Sequence, residues 1–442
     1  MVTLEEMLAT REARQERITA ALPHAPLVSF SMNIPGPVKD SPLIRRGFVE
    51  GCRRLEAALP LRLMGRVEGA TGCEALYAAE GDSLAIKKLC SKLEDADELG
   101  RLFDMDVIDP YGRKLDRTEL GLPQRGCMVC GAEGRGCAAR RLHTVEALQH
   151  ETERRLYDHF LAKDSERISA LATKSLLDEV STTPKPGLVD RANNGSHTDM
   201  DLALFEKSAA ALTPYWGECF RIGVNTAALS PEETFFRLRK AGLAAEETML
   251  AATSGINTHK GAIFLMGLLC GATGRLWDAA QPCRNAEALC IECARMTAAP
   301  LQTEFDQISE QNATTAGARL YLQHGLRGAR GEAADGLPGV REAALPALKN
   351  ALAHGCSEEH AAAIALLHLI SRAADTNMVK RGGLDGAAWG AAAAKALLER
   401  EMPSTEQISA LDDAFIQRNL SPGGCADLLA LTLFLHYWEK PE

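Results

Sequence analysis

From Leu27 to Ile34 the chain reads LVSFSMNI, with Val28, Phe30, Met32 and Ile34 alternating with Ser29, Ser31 and Asn33. A period of two is that of a strand with unlike faces, and Pro35-Gly36-Pro37 ends it. Residues 41–58 place apolar side chains at helical spacing, and Leu102 to Ile108 predicts a second strand. After Ser165 the pattern changes to Ala- and Leu-rich stretches at 165–180, 201–213, 232–253, 261–271, 285–298, 341–354, 358–374, 386–400 and 425–437. These have helical length and good helix-forming composition, and convincing strand runs are missing. The pattern predicts an α+β N-terminal domain over 1–163 and an all-α C-terminal domain over 164–442. The boundary falls near Lys163-Asp164-Ser165, between two helical stretches and without a Gly/Ser linker.

A chain of 442 residues, 46% hydrophobic and 24% charged, has the composition of an ordinary folded protein. Its formal net charge of −10 argues against nucleic acid as a partner, because phosphate backbones require clustered cations. Most of that negative excess follows residue 165, so the N-terminal half is the better face for an acidic partner. No apolar run is long enough to span a membrane, and Met1 to Ala20 is amphipathic rather than signal-like. The 13 cysteines then read as reduced thiols of a cytoplasmic protein.

In the first half, Asp104 and Asp106 are two apart on the second strand and so share a face. Adjacent carboxylates repel unless a cation joins them, and Mg²⁺ with substrate phosphates is the usual answer. The alternative is a strand with a solvated acidic face. Lys39, closing the turn after the first strand, suits a phosphate or is an ordinary loop lysine. Cys127-x2-Cys130-x6-Cys137-x5-His143 offers zinc ligand types, although Arg135, Arg140 and Arg141 interrupt the set; it reads equally as reduced thiols near a functional loop. Those arginines suit a phosphate or an acidic protein.

In the second half, polar loops punctuate the helices. Thr183 to Arg191 is followed by Asn193 to Asp201, and Gly255 to Gly261 precedes an apolar helix expected from Ala262. Asp375-Thr376-Asn377, Arg381-Gly382-Gly383 and Ser421 to Asp427 follow. Helix starts are anion sites, yet Asp and Ser there are as often caps. Neither a Walker loop nor a GxGxxG fingerprint occurs.

Two resemblances draw these motifs together. Ser29 to Lys39, Gly100 to Val107, and Arg125 to Cys130 with Cys137 and His143 resemble the holo-citrate lyase synthase family over about residues 1–160. Pro184 to Asp190, His197-x-Asp199-Met200-Asp201, Asn257 to Gly261, Asp375 to Asn377 and Ser421 to Asp427 are similar to the triphosphoribosyl-dephospho-CoA synthase family over about residues 165–440. The resemblance implies a bifunctional enzyme with ATP and 3′-dephospho-CoA as substrates. Adenine leaves, and the phosphoribosyl-dephospho-CoA unit passes to a serine of the acyl carrier (gamma) subunit of citrate lyase with release of pyrophosphate. It strengthens the Mg²⁺ reading of Asp104 and Asp106, with Lys39, Arg101 and Arg125 on substrate. It does not assign roles in the second half. There, residue chemistry makes Asp190, Asp199, Asp201 and His259 the catalytic candidates, with Asp199 and Asp201 also as Mg²⁺ ligands. Lys185, Asn257, Lys260, Arg381, Ser421, Gly423 and Gly424 are the substrate and phosphate candidates, and His259 also suits a phosphate. The competing readings are a metal-dependent phosphohydrolase or other nucleotidyltransferase with a nucleotide-binding helical half, and a non-enzymatic assembly factor.

Overall fold

The computed structural model describes residues 2–22, 24–132, 137, 140–372, 375–399 and 402–440. Its contacts divide the chain into two compact units, Met1–Lys163 with Asp278–Gln281, and Asp164–Trp277 with Pro282–Glu442.

The first unit is built on a four-stranded antiparallel sheet of order β2-β3-β1-β4. Its elements are α1 (Leu4–Ala21), β1 (Leu27–Met32), α2 (Pro42–Ala58), β2 (Leu61–Val67), β3 (Glu74–Ala79), α3 (Ser83–Glu94) and β4 (Phe103–Ile108). The alternation read in the sequence sorts the two faces. Val28, Phe30, Phe103, Met105 and Val107 are all buried, and Phe30 stacks on Phe48 of α2 at 5.0 Å. The opposite face is divided along its length. Leu27, Leu76, Ala78 and Ile108 pack with Ile18 of α1, whereas Ser29, Ser31, Asp104, Asp106 and Glu74 occupy the rest, with Ser31 paired to Asp104 on one side and Glu74 on the other. β4 is an edge strand, and α3 supplies the missing partners. Met105 N–H donates to Glu94 Oε1 at 2.8 Å, and Lys87 Nζ donates to the Met105 carbonyl at 3.0 Å. Covering an edge in this way removes a template for wrong pairing.

β2 and β3 were not legible in the sequence. LRLMGRV is broken by a register shift between Leu63 and Gly65, and EALYAA is buried along its whole length, so neither alternates. The expected break between two helical stretches at residue 163 is also corrected: a single helix, α4 (Val145–Ser181), runs through it.

The second unit is helical, in agreement with the Ala/Leu pattern. It contains α5 (Leu202–Thr226), α6 (Pro231–Ala252), α7 (Lys260–Arg275), α8 (Ala286–Asp306), α9 (Ala316–His324), α10 (Gly328–Ala334), a π-helical turn Gly339–Ala344, α11 (Leu345–Ala353), α12 (Glu358–Arg372), α13 (Thr376–Leu398), α14 (Thr405–Gln417) and α15 (Gly423–Glu439). The stretch read as 341–354 thus begins in the π turn, and α13 starts ten residues earlier than the stretch at 386–400, with a non-helical Gly383 inside it. Positions 373, 374 and 400 lie outside the described residues. α7 is buried almost all round, from Ala262 to Gly274, and α15 from Cys425 to Trp438. A helix apolar on every side is a core helix, so these two form the centre and the others surround them. Among the described residues no helix is long and apolar enough to cross a membrane.

At the end of α7, Arg275 is buried and bonds Glu292 Oε1 of α8 at 2.6 Å, the Thr226 carbonyl of α5 at 2.8 Å and Thr234 Oγ1 of α6 at 2.7 Å. Removing Arg275 leaves buried Glu292 with the exposed Arg295, at 2.9 Å, and leaves the Thr226 carbonyl without this donor. Arg275→Met is expected to cost about 3 kcal/mol and to lower the melting temperature in a calorimetric scan. Arg275→Met with Glu292→Leu should recover most of that loss, since a buried pair replaced by apolar side chains is close to neutral.

Candidate functional site

The first unit carries two separate polar constructions. On the sheet face, Asp104 and Asp106 converge as the spacing predicts. Burial, and then the neighbouring Asp106 charge, raises the Asp104 carboxyl above the ordinary carboxylate range. A hairpin turn at 109–113 brings Lys114 back beside β4, where its Nζ meets Asp106 Oδ2 at 2.5 Å. Arg14 and Arg17 of α1 both bind Glu74, in the same cross-strand row as Asp104. Lys114, Glu74, Arg14 and Arg17 were missed by sequence reasoning, because only the strand register brings them to this face.

The second construction is a cavity of about 920 Å³ beyond the end of β1, lined by Asn33, Arg101, Arg117, Arg125, Arg141 and the cysteine–histidine loop. Arg101 Nη2 donates to the Gly126 carbonyl at 2.7 Å. Arg125 spans three carbonyls, those of Phe103, Glu94 and Gly100. Arg141 is exposed and has no ion-pair partner among the described residues. Cys127, Cys137 and His143 share this wall. Arg135 lies outside the described residues. Neither Asp104 nor Asp106 lines this cavity, so the acidic pair and the arginines occupy different places. Lys39 belongs to neither: its Nζ donates to the Ile34 carbonyl and it lines a smaller hollow with Arg11 of α1. Its ammonium is turned to its own loop, the geometry of the loop-lysine alternative.

In the second unit a cavity of about 510 Å³ gathers the polar loops that are scattered along the sequence. Lys185, Asp199, Asn257, His259, Lys260, Arg381, Ser421, Gly423 and Gly424 all line it. The first turns of α7, α13 and α15 open on it, so three helix N-termini face one space. Two aspartates expected there have other work. Asp201 is the N-cap of α5, accepting from Leu204 N–H at 2.9 Å. Asp190 is buried outside the cavity lining and shapes its own loop, accepting from the N–H groups of Lys185, Ala192 and Asn193. Lys260 sits at the helix start, two residues before the expected one, but is 61% exposed with Nζ on Glu246 at 2.6 Å. Asn257 Oδ1 accepts from Lys260 N–H at 3.2 Å and is in effect a cap.

Residues the sequence reading had not chosen complete the site. Glu179 is buried, its Oε1 and its carbonyl accepting from Nζ of the expected Lys185 at 2.5 and 2.7 Å. Asp427 lies so close to the start of α7 that a Cβ on Gly261 would come within 1.8 Å of its Oδ2. It accepts from Ala262 N–H, and burial followed by the Glu179 and Asp375 charges raises its pKa well above the ordinary value. Asp375 receives Asn377 and Met378 N–H of α13 and Cys425 N–H of α15. Lys380 of α13 is exposed on the same space, with no ion-pair partner among the described residues. Asp427 and Asp375 stand inside the quoted motifs; Glu179, at the end of a helical stretch, carried no signal.

Two histidines have fixed surroundings. Arg381 Nη2 lies 3.1 Å from His197 Nδ1, and His197 Nε2 lies 2.8 Å from Ser421 Oγ; burial and then Arg381 lower the His197 pKa. His259 Nδ1 is 2.7 Å from Ser208 Oγ, which accepts from Thr258 Oγ1 at 2.7 Å. That chain leaves the Ser208 hydroxyl proton for Nδ1 and assigns the ring proton to Nε2. Nε2 is buried and has no hydrogen-bond partner among the described residues, so the site presents an unanswered N–H donor.

The profile of the CitG family, ATP:dephospho-CoA triphosphoribosyl transferase, matches residues 165–442. That of the CitX family, apo-citrate lyase phosphoribosyl-dephospho-CoA transferase, matches residues 2–159. The chain is 35% identical to protein CitXG of Haemophilus influenzae, over 98% of this chain and 96% of that one. It is 32% identical to protein CitXG of Leuconostoc mesenteroides subsp. cremoris, over 96% and 94%. The 2-(5''-triphosphoribosyl)-3'-dephosphocoenzyme-A synthase of Pectobacterium atrosepticum is 47% identical over 60% of this chain and 86% of its own length.

His259 also sets a pH dependence. Burial and then the Lys185 charge pull its pKa from 6.5 to about 3. Below pH 6.5 the unfolded chain binds a proton that the folded chain refuses, so stability is full above that value and is lost as pH falls toward 3. Urea unfolding at pH 7.5 and 5.0 should therefore show His259→Gln losing about 2 kcal/mol less between the two conditions than the parent chain.

Proposed function

The chain belongs to the family of fused CitXG proteins, and from that premise we infer that it makes the prosthetic group of citrate lyase and attaches it. It is a bifunctional transferase. One activity joins ATP to 3′-dephospho-CoA with loss of adenine, giving 2′-(5″-triphosphoribosyl)-3′-dephospho-CoA. The other passes the phosphoribosyl-dephospho-CoA group to a serine of the lyase's acyl carrier subunit with loss of pyrophosphate. We assign the transfer to residues 1–163 and the synthesis to residues 164–442. ATP and 3′-dephospho-CoA are cytoplasmic metabolites, and the thirteen free thiols suit that compartment.

The observation that carries the synthase reading is the convergence of cations and an unpaired histidine donor on one cavity. An ATP triphosphate is the kind of ligand that the side chains of Lys380 and Arg381 attract at this cavity. The acceptor 2′-hydroxyl must lose a proton as its oxygen bonds C1′ of the ATP ribose, and the bond from C1′ to adenine breaks. Asp199 is 62% exposed at the cavity edge, beside His197 at 3.9 Å, and is the proposed acceptor of that proton. His259 Nε2–H is placed to donate to a nucleotide acceptor atom. Buried Lys185 positions Glu179 rather than meeting phosphate, since both its recorded contacts are internal.

For the transfer step the sheet face of Asp104 and Asp106 is the proposed seat of the precursor's phosphates, and the arginine-walled cavity, on another surface of the unit, is the proposed contact for the carrier subunit. Asp104 and Asp106 would hold Mg²⁺, and the fit rests on the raised Asp104 carboxyl, a strain that a divalent ion relieves. When bound, the ion supplies charge neutralisation at the phosphates. The carboxylates' own part is to place it, and Lys114 occupies Asp106 in its place here.

The test is a pair of assays on the full chain. Adenine should appear by chromatography only when ATP and 3′-dephospho-CoA are both present; release of ADP or AMP instead would overturn the synthase reading. Asp199→Asn should lose about 100-fold or more of adenine release. Asp201→Asn should keep it, because Asn caps a helix as well as Asp. Asp104→Asn with Asp106→Asn should abolish carrier labelling, read as mass added to the carrier subunit, and leave adenine release intact. Loss of both activities together in that folded variant would exclude two separate sites.

A further inference from the structure

Cys127, Cys130, Cys137 and His143 come together at one point. One ligand atom from each lies within 4.8 Å of all the others. Cys130 Sγ is 3.5 Å from Cys137 Sγ and 3.3 Å from His143 Nε2. A zinc–sulfur bond of about 2.3 Å at a tetrahedral angle sets neighbouring sulfurs about 3.8 Å apart, and sulfur and nitrogen slightly closer. A disulfide would need about 2.05 Å between sulfurs. The observed spacing is that of ligands around an ion.

The backbone is shaped for the same end. Gly131, at φ +71°, turns the chain so that its N–H meets the Cys127 carbonyl at 2.9 Å, while Cys127 N–H meets the Ala132 carbonyl at 2.6 Å. The N–H groups of Val129 and Cys130 are directed at Cys127 Sγ, which supports a thiolate ligand. His143 comes from far along the loop, one residue before Thr144, whose hydroxyl accepts from Ala147 N–H at the start of α4. Arg155 of α4 holds the Met128 carbonyl at 2.9 Å.

We propose that these four side chains bind one zinc ion in a closed structural site, and that this ion fixes the wall carrying Arg101, Arg125 and Arg141. Four protein ligands leave no open position for a substrate, which separates a structural zinc from a catalytic one. Gly126, gripped by Arg101, and Arg125 directly precede the first ligand, and Arg141 lies between the last two. The metal assignment stands on the geometry alone; its effect on carrier labelling rests on the transfer step assigned above.

The experiment uses the full chain purified without chelator and with reductant. Elemental analysis should find one zinc per chain, and cobalt in its place should give the spectrum of a tetrahedral thiolate complex. Cys130→Ser and Cys137→Ser should each lower metal retention and carrier labelling by at least about tenfold, with an unchanged circular dichroism spectrum as the check on folding and adenine release unchanged. His143→Cys should keep the metal and both activities, because a fourth thiolate completes the same tetrahedron. A parent chain that holds no zinc and gives no tetrahedral cobalt spectrum overturns the site, as does a Cys130–Cys137 disulfide in the purified protein. Serine variants that retain the ion overturn this ligand set. Loss of zinc with undiminished labelling overturns the role given to the wall. A parent chain that binds zinc but never labels the carrier leaves the metal site standing and removes the transfer reading instead.

Discussion

In the helical unit, backbone N–H groups at helix starts point into protein and need acceptors, and buried carboxyl groups provide them. Asp375 collects the first-turn donors of α13 and reaches Cys425 at the start of α15. Asp427, one turn into α15, takes Ala262 N–H in the first turn of α7. The two carboxyl groups give those donors acceptors, and each such hydrogen bond contributes about 1 kcal/mol. The cavity exists because these helices meet at their N-termini. The close approach also explains Gly261 and Gly424, where an added Cβ would lie 1.8 Å from Asp427 Oδ2 and 2.7 Å from Asp375 Oδ2.

The first unit solves a related problem with a sheet. Its polar half-face puts Asp104, Asp106 and Glu74 among Arg14, Arg17 and Lys114. Its edge strand β4 is closed by Lys87 and Glu94 of α3. Glu94 is itself pushed above the ordinary carboxylate range by burial, partly offset by the Met105 N–H. The arginine cavity lies elsewhere in the unit, beyond the strand ends, so two kinds of charge are kept on different surfaces of one small sheet.

Periodicity disclosed much of this and local spacing rather less. The alternation of Val28, Phe30 and Met32 marked the strand, although both of its faces are buried, and the two-residue step from Asp104 to Asp106 placed them side by side. The Ala/Leu stretches announced the helical unit. β2 and β3 stayed hidden because a register shift breaks one and burial on both faces removes the alternation of the other. Within the helical site the motifs lie on loops that line one cavity, while some of their side chains are taken up by the backbone. Asp201 and Asp190 look catalytic beside His197, yet their carboxylates are consumed by nearby backbone N–H groups, a choice that local sequence leaves open between cap and site. Glu179 depends on Lys185 folding back across six residues, and no periodic signal marks such a turn.

The register shift in β2 has a consequence for the molecule in a crowded solution. β2 lies at the free edge of the sheet, with Leu63, Met64 and Val67 exposed, a composition that invites another chain to add a strand. The irregularity between Leu63 and Gly65 breaks the straight ladder that such an addition needs. Arg62 and Arg66 flank the break, and Arg66 is drawn off toward Glu68 and the Phe48 ring. The flaw that hid this strand from the sequence pattern thus protects the protein against self-association through its edge.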